Sequence, residues 1–140
     1  MKGKNDSTNP GLKTKELNDT KRKRALIVDD ETDICYLLSN ILKQRNIQTV
    51  FAGSLAEADK LLQSPDHFYY VFLDNHLPDG QGINSIKRWK EKFPSIHVIM
   101  ITAHDSYEER KKASHDGADY FISKPFSKEI ILNSIVPTSA

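Results

Sequence analysis

The chain has 140 residues and a formal net charge of +1, with 38% apolar and 28% charged residues. These values indicate one soluble globular domain and exclude two domains with separate cores. No apolar stretch approaches the length of a membrane span, and the basic start of the chain lacks the apolar segment of a signal peptide. The single cysteine, Cys35, excludes an internal disulfide and a cysteine-based zinc site. We therefore expect a cytoplasmic protein that does not contact a membrane.

The charge is divided unevenly along the chain. Residues 1–24 carry eight Lys or Arg against three acids, whereas residues 25–140 carry twelve against sixteen. We predict a disordered basic tail at residues 1–22, a folded domain at residues 23–137 and a short C-terminal tail at residues 138–140. The basic run at residues 21–24 is interpreted as a solvated flank of the first strand, with contact to nucleic acid or an anionic surface as the alternative.

Apolar runs and apolar stripes at helical spacing alternate along the folded part of the chain. Strands are predicted at residues 25–28, 46–51, 70–74, 97–101 and 118–123. Helices are predicted at residues 31–45, 54–64, 82–93, 105–116 and 127–135, of which the fourth has a poor apolar stripe. The side chains predicted to face the core are Ile34, Cys35, Leu37, Leu38, Ile41, Leu42, Leu55, Ala58, Leu61, Leu62, Ile83, Ile86, Trp89, Phe93, Ile130, Ile131 and Ile135. Five alternations of strand and helix predict an α/β fold with a doubly wound five-stranded parallel sheet.

Polar residues follow the apolar runs at the points where four of the strands end. These residues are Asp29 and Asp30, Asp74, Thr102, and Lys124. Because the carboxyl ends of parallel strands meet at one edge of a sheet, we expect them to converge there, with Asp74 exposed at the tip of its strand before the turn at residues 77–80. Three carboxylates so close would repel one another unless a cation lay among them, and few oxygen ligands with room for water suit Mg²⁺.

This constellation has the parts that phosphoryl transfer to a carboxylate requires. Asp74 is the candidate nucleophile, because a carboxylate can form an acyl phosphate. Mg²⁺ would take one phosphoryl oxygen, Lys124 a second, and Thr102 with backbone N–H groups the third.

Over residues 23–136 the sequence resembles the receiver domains of two-component response regulators. The matching motifs, in order, are Leu26-Ile27-Val28-Asp29-Asp30-Glu31, Leu73-Asp74 with Leu77-Pro78-Asp79-Gly80 and Gly82, Ile101-Thr102-Ala103, and Gly117-Ala118-Asp119 leading to Lys124-Pro125-Phe126. The resemblance implies a CheY-like, flavodoxin-like sheet with strand order 2-1-3-4-5. It also implies a phosphorelay signalling module rather than an enzyme with a separate substrate.

The resemblance assigns roles to the residues at the sheet edge. Asp74 would accept a phosphoryl group from a histidine kinase or a phosphotransfer protein. Asp30 and Asp74 would bind Mg²⁺ directly together with the backbone carbonyl of His76, and Asp29 would act through water. Lys124 would hold a phosphoryl oxygen and precede a cis peptide bond to Pro125.

The resemblance also implies a switch. Thr102 would move toward the phosphoryl group, and the aromatic ring of Phe121 would turn inward, changing a surface formed by the fourth helix, fifth strand and fifth helix. Phe121 replaces the tyrosine common in the family, and an ordinary core role is the alternative. This surface would contact a downstream protein or output domain, or a second copy of the chain, without direct DNA binding.

Other interpretations remain at this stage. A phosphatase like the haloacid dehalogenases would need a second acid two residues after Asp74, where this chain has His76, and a flavodoxin-like nucleotide binder would not place Asp29 and Asp30 beside phosphate. His76 and His104 each lie two positions beyond a site residue, which suggests that their rings flank the path of the water that hydrolyses the acyl phosphate. The alternative is that both histidines only face solvent, and zinc binding by the pair ranks below both interpretations.

Overall fold

Five parallel strands form the central sheet of the computed structural model, which describes residues 22–135. They are β1 (Arg24–Val28), β2 (Gln48–Ala52), β3 (Tyr70–Asp74), β4 (His97–Thr102) and β5 (Tyr120–Ser123). Their spatial order is β2-β1-β3-β4-β5, so the predicted flavodoxin-like order 2-1-3-4-5 is confirmed. Residues 1–21 of the predicted tail at residues 1–22, and the predictions for residues 136–140, lie outside the described residues.

The helices alternate with these strands. They are α1 (Thr32–Lys43), α2 (Leu55–Leu62), α3 (Ile86–Lys92), α4 (Tyr107–Asp116) and α5 (Lys128–Ser134), and a 3₁₀ turn at Gly82–Ser85 precedes α3. The second strand begins two residues later than predicted, because Asn46 closes the turn after α1 at a φ of 60°. Residues 82–85 were predicted as the start of an α-helix and instead form the tighter turn.

Two apolar clusters bury the two faces of the sheet. In β1, Leu26 and Val28 belong to one cluster and Ala25 and Ile27 to the other, as expected where successive side chains point to opposite faces. The first cluster includes buried residues of α2, α3 and α4, and the second includes buried residues of α1 and α5. Helices therefore cover both faces, which confirms the doubly wound arrangement.

Two of the predicted core positions are wrong. Leu37 is 46% exposed and Ile130 is 44% exposed, whereas their neighbours Leu38 and Ile131 are almost completely buried. Successive residues of an α-helix are rotated by about 100° around its axis. A helix that buries Leu38 or Ile131 therefore directs the preceding residue toward solvent. Cys35 is buried in the core as predicted.

The α2 and α3 helices are joined by polar contacts at the edge of the core. Trp89 is fully buried, and its Nε1–H donates a hydrogen bond to Asp59 Oδ1 at 2.7 Å. Arg88 pairs with the same carboxylate at 2.9 Å. The indole therefore packs in the core while its one donor is satisfied.

The helices of the described part of the chain are short. None among residues 22–135 combines the length and the apolar content that a bilayer span requires.

Candidate functional site at the carboxyl edge of the sheet

The ends of β1 and β3 deliver three carboxylates to one place. Val28 pairs with Leu73 in the register of these strands, so Asp29 and Asp74 leave the sheet at the same level. One carboxylate oxygen from each of Asp29, Asp30 and Asp74 lies within 4.8 Å of the others. The structure therefore brings together the three acids that the sequence placed at strand ends, and this donor set fits a divalent cation.

Lys124 reaches this acidic cluster from the end of β5. Its Nζ lies 3.1 Å from Asp29 Oδ2, 3.3 Å from Asp74 Oδ1 and 3.0 Å from Glu31 Oε1. The peptide bond from Lys124 to Pro125 is cis, as the resemblance implies. One ammonium group is thus shared by three carboxylates, and Glu31 is a partner that sequence reasoning missed although it directly follows Asp29 and Asp30.

Asp74 is much less exposed than predicted. Its residue exposure is 6%, and that of Asp29 is 5%, and Lys124 pairs with both carboxylates. The prediction of a carboxylate exposed at the strand tip is therefore wrong. Burial raises the pKa of Asp74, and the charge of Asp29 raises it further, while Lys124 acts in the opposite direction.

Asp29 and Lys124 show how this cluster balances charge. Burial raises the pKa of Asp29. The Glu31 backbone N–H, which donates a hydrogen bond to Asp29 at 2.9 Å, and the charge of Lys124 lower this pKa by a smaller amount, so the net shift is upward. Burial alone would lower the pKa of Lys124, but the hydrogen bond to Glu31 and the charges of Asp29 and Asp74 raise it well above its ordinary value. The lysine is strongly stabilised, yet a single positive charge does not offset the desolvation of two buried carboxylates.

Thr102 lies at the adjoining end of β4. It is fully buried, and its Oγ1 accepts a hydrogen bond from the His104 backbone N–H at 3.1 Å. Its carbonyl oxygen accepts one from the Lys124 backbone N–H at 2.8 Å. The hydroxyl proton is not used by the His104 contact, so Thr102 keeps a donor for an incoming oxygen.

Asn75 holds the loop that follows Asp74 and was not singled out from the sequence. It is 1% exposed, its Oδ1 accepts a hydrogen bond from the Ile83 N–H at 2.9 Å, and its carbonyl accepts one from the Gly82 N–H at 2.9 Å. These contacts fold the chain back against the end of β3. A polar residue after a strand is common, so Asn75 alone does not predict these hydrogen bonds. The only further signal in the sequence is Gly82, seven residues later.

Asp79 fastens the same loop to α2. Its two carboxylate oxygens accept hydrogen bonds from the Leu55 and Ala56 backbone N–H groups, each at 2.9 Å. Ser54 caps the same helix through the Glu57 N–H at 3.1 Å. Asp79 was predicted only as a turn residue, and it instead supplies acceptors that the first turn of α2 lacks.

Asp79→Ala is expected to destabilise the domain at neutral pH and to loosen the loop after Asp74. The two backbone hydrogen bonds lower the pKa of Asp79, so their stabilisation is present above its unfolded pKa near 3.8 and is lost as the pH falls through the lower folded value. Urea unfolding at pH 7 and pH 2 should therefore show a larger deficit at the higher pH. Asp79→Asn should lose less, and Asp66→Ala, which removes an exposed acid elsewhere, should lose little. A deficit of equal size at both pH values would contradict this account.

Phe121 lies half-buried against the core on the side of the sheet that carries α4. The Arg110 guanidinium stacks over its ring at 4.6 Å from the centroid. Arg110 also binds Asp105 in a bidentate pair at 2.5 and 3.0 Å, and Asp105 accepts a hydrogen bond from the Ser123 hydroxyl. These contacts hold the pKa of Asp105 near 2 and connect the loop after Thr102 to the Phe121 ring.

His76 and His104 meet at the rim of the carboxylate cluster. Both are exposed, and their ring centroids lie 5.0 Å apart with an interplanar angle of 82°. Their matched positions after β3 and β4 therefore bring the two rings close to each other. Their suggested part in hydrolysis stays a prediction.

Comparisons with known proteins agree with this geometry. The family model of the response regulator receiver domain matches residues 25–136. Response regulator protein PilR of Pseudomonas aeruginosa is 38% identical over 104 residues, which make up 74% of this chain and 23% of PilR. The chain spans about a quarter to about half of the length of the curated relatives it matches.

Solved structures show the same fold. The beryllofluoride-activated NtrC4 receiver domain dimer has a TM-score of 0.76 at 41% identity, covering 80% of this chain and 92% of that one. A response regulator from Burkholderia pseudomallei, with a phosphorylated aspartic acid, a calcium ion and citrate, has a TM-score of 0.75 at 26% identity, covering 84% and 68%. The chain therefore belongs to the response regulator receiver domain family and is a signalling module of the two-component type.

Proposed function

We propose that Asp74 is the phosphoryl acceptor of this receiver domain, with a histidine kinase or a phosphotransfer protein as the donor. The observation that carries the proposal is the position of its carboxylate, within 4.8 Å of Asp29 and Asp30 oxygens and 3.3 Å from Lys124 Nζ. An Asp74 oxygen would form a bond to phosphorus as the bond between phosphorus and the donor histidine nitrogen breaks. The phosphorylated aspartic acid in the B. pseudomallei relative supports this assignment.

The acidic cluster fits a divalent cation, and we assign Mg²⁺ to it. Asp30 and Asp74 would bind the ion directly with the backbone carbonyl of His76, and Asp29 would bind through water. Burial raises the pKa of both Asp29 and Asp74, so their charged forms are unfavourable in the free protein and a bound cation would stabilise them. When bound, the ion neutralises charge on the phosphoryl oxygens. The calcium ion in the B. pseudomallei relative is consistent with a divalent site of this type.

Lys124 and Thr102 would position the phosphoryl group. Lys124 is held by three carboxylates and can exchange one of these contacts for a phosphoryl oxygen without losing the others. Thr102 accepts from the His104 N–H and retains its hydroxyl proton for a second oxygen. The Lys124 ammonium is already held at the cluster by the fold, which favours electrostatic stabilisation without reorganisation, whereas Thr102 would move toward the phosphoryl group.

Phosphorylation would change the conformation of a surface formed by α4, β5 and α5. A movement of Thr102 toward the phosphoryl group would pull on the loop that carries Asp105. Asp105 in turn contacts Ser123 and Arg110, and Arg110 stacks over Phe121. Phe121 is half-buried, which leaves room both for the switch role and for an ordinary core role. These contacts connect the loop after Thr102 to the Phe121 ring. We propose that this connected region has two conformations and that phosphorylation favours one of them.

The partners follow from this surface. A downstream protein or an output domain would bind the α4–β5–α5 face, and a second copy of the chain is the other occupant. The beryllofluoride-activated NtrC4 receiver domain is a dimer, which supports a second copy as a partner. We assign no DNA contact to this domain and place it in the cytoplasm with its kinase.

Incubation with acetyl phosphate and MgCl₂, followed by intact-mass measurement, is expected to show the gain of one phosphoryl group. Asp74→Asn should abolish the gain, because the amide oxygen is a far weaker nucleophile than a carboxylate. Removing divalent ions with EDTA should slow the gain by a factor of at least ten.

Asp66→Asn is the matched control, since it removes an exposed carboxylate far from the cluster and should be phosphorylated like the wild type. A phosphoryl group that persists in Asp74→Asn would show that another residue is the acceptor. Multiple turnover on phosphomonoesters would favour a hydrolase instead.

A further inference from the structure

His76 and His104 form a pair whose position is set by the fold. Asp74 pairs with Ile101 in the β3–β4 register, and each histidine follows the end of one of these adjacent strands. His76 lies in a two-residue strand that pairs with Gln81, and the His104 backbone N–H donates to Thr102 Oγ1. Both backbones are therefore fixed, while both rings are exposed and can turn.

We infer that this histidine pair is a binding site for a transition-metal dication such as Zn²⁺, Ni²⁺ or Cu²⁺, separate from the carboxylate site. Two imidazoles on one tetrahedral ion have ring centres about 5 Å apart, because each ligand nitrogen lies about 2 Å from the ion. The observed centroid separation is 5.0 Å, so the rings need only rotate to present a nitrogen each. Water would complete the coordination.

The two neighbouring sites differ in chemical preference. Imidazole nitrogen suits zinc, nickel and copper, whereas the carboxylates of Asp29, Asp30 and Asp74 suit magnesium and calcium. A transition ion can therefore occupy the histidine pair while the acidic cluster holds its own ion. An ion bound by the histidine pair would hinder the access of a phosphoryl donor to Asp74. This consequence rests on the proposed function.

The test is calorimetric titration of the untagged protein with ZnCl₂ at pH 7.5 in the presence of excess MgCl₂, which competes with zinc for the acidic cluster. One ion per chain is expected. His76→Ala and His104→Ala should each weaken binding at least tenfold, because a single imidazole is left. His67→Ala, which removes another exposed histidine, and Asp30→Asn, which weakens the carboxylate site, should both bind zinc like the wild type.

Three results would overturn the inference. They are no zinc binding by the wild type, wild-type affinity in either single variant of the pair, or binding that is lost in Asp30→Asn and retained in His76→Ala. None of them depends on phosphorylation, so they are separate from a failure of the proposed function.

If the site binds zinc as expected, saturating zinc should slow phosphorylation by acetyl phosphate in the wild type and not in the variant lacking both histidines. Equal slowing in both would refute the effect on donor access.

Discussion

Gly82→Ala is expected to destabilise the domain by about 3 kcal/mol, at the upper end of what an added methyl group costs in a packed site. A Cβ at this position would lie 2.3 Å from the Asp74 carbonyl oxygen and 2.8 and 2.9 Å from Leu73 Cγ and Cδ1. The carbonyl belongs to the backbone of the central strand, and Leu73 is fully buried, so neither can move without disturbing β3. The requirement for glycine here comes from close approach and not from an unusual φ.

Urea unfolding at pH 7 measures this effect, and Gly53→Ala is the matched control. A Cβ on Gly53 would meet its nearest neighbour, Glu57 Oε1, at 3.8 Å, which is ordinary contact. That variant should stay within about 0.5 kcal/mol of the wild type. Similar losses in the two variants would show that crowding at Asp74 is not the cause.

Gly82→Ala should also impair phosphorylation under conditions where the variant is still folded. The Gly82 N–H donates to the Asn75 carbonyl, and Asn75 follows Asp74 directly. Displacing Gly82 therefore moves the chain that carries the acceptor. Because catalysis at such sites depends on positioning, a shift of under 1 Å is enough to lower the rate. The initial rate with acetyl phosphate, compared with that of Gly53→Ala, measures this second effect.

The sheet edge was predictable because it depends only on where apolar runs end. Asp29, Asp74, Thr102 and Lys124 each follow such a run, and a parallel sheet places all of these ends together. The same reasoning gave the doubly wound order of layers from the alternation of strands and helices.

The missed features depend on contacts between segments that no periodicity relates. Asp79 caps α2 across 24 and 23 residues of sequence, and the lysine that pairs with buried Asp74 lies fifty positions away. Leu37 and Ile130 were assigned to the apolar stripes of their helices, although the structure turns both side chains outward. The sequence pattern predicts which side of each helix or strand is buried. It does not predict which residues from distant loops contact the site.

Asp74→Asn is expected to stabilise the fold by about 1–2 kcal/mol at pH 7 in the absence of divalent ions, although it removes the proposed acceptor. Asp29 and Asp74 are buried side by side, and Lys124 must serve Glu31 as well. Removing one of the two buried charges relieves repulsion and desolvation and leaves the lysine paired with Asp29. Asp66→Asn, an exposed acid 3.8 Å from Arg24, should change stability by less than about 0.5 kcal/mol.

The pH dependence distinguishes this explanation from a simple packing effect. The folded-state pKa of Asp74 is raised above the unfolded value near 3.8, so the folded protein keeps a proton that the unfolded chain has already released. Unfolding free energy contributed by this group therefore falls as the pH rises from about 4 through the folded pKa, and stays low at neutral pH. Asp29, Asp30, Glu31 and Lys124 surround it, so the measured quantity is the difference between wild type and Asp74→Asn. That difference should vanish near pH 3.

Divalent ions should reverse the order of stability at neutral pH. An ion that binds only the folded state stabilises it by about 1.4 kcal/mol for each tenfold rise in free concentration above its Kd. The wild type should show this dependence on MgCl₂ in urea unfolding at pH 7, and Asp74→Asn and Asp30→Asn should show a weaker one because each lacks one carboxylate of the cluster. A wild type that is insensitive to Mg²⁺, or variants that match its sensitivity, would mean that these carboxylates do not form the ion site. The unfavourable burial of Asp29 and Asp74 would then have to be explained by another role of these carboxylates.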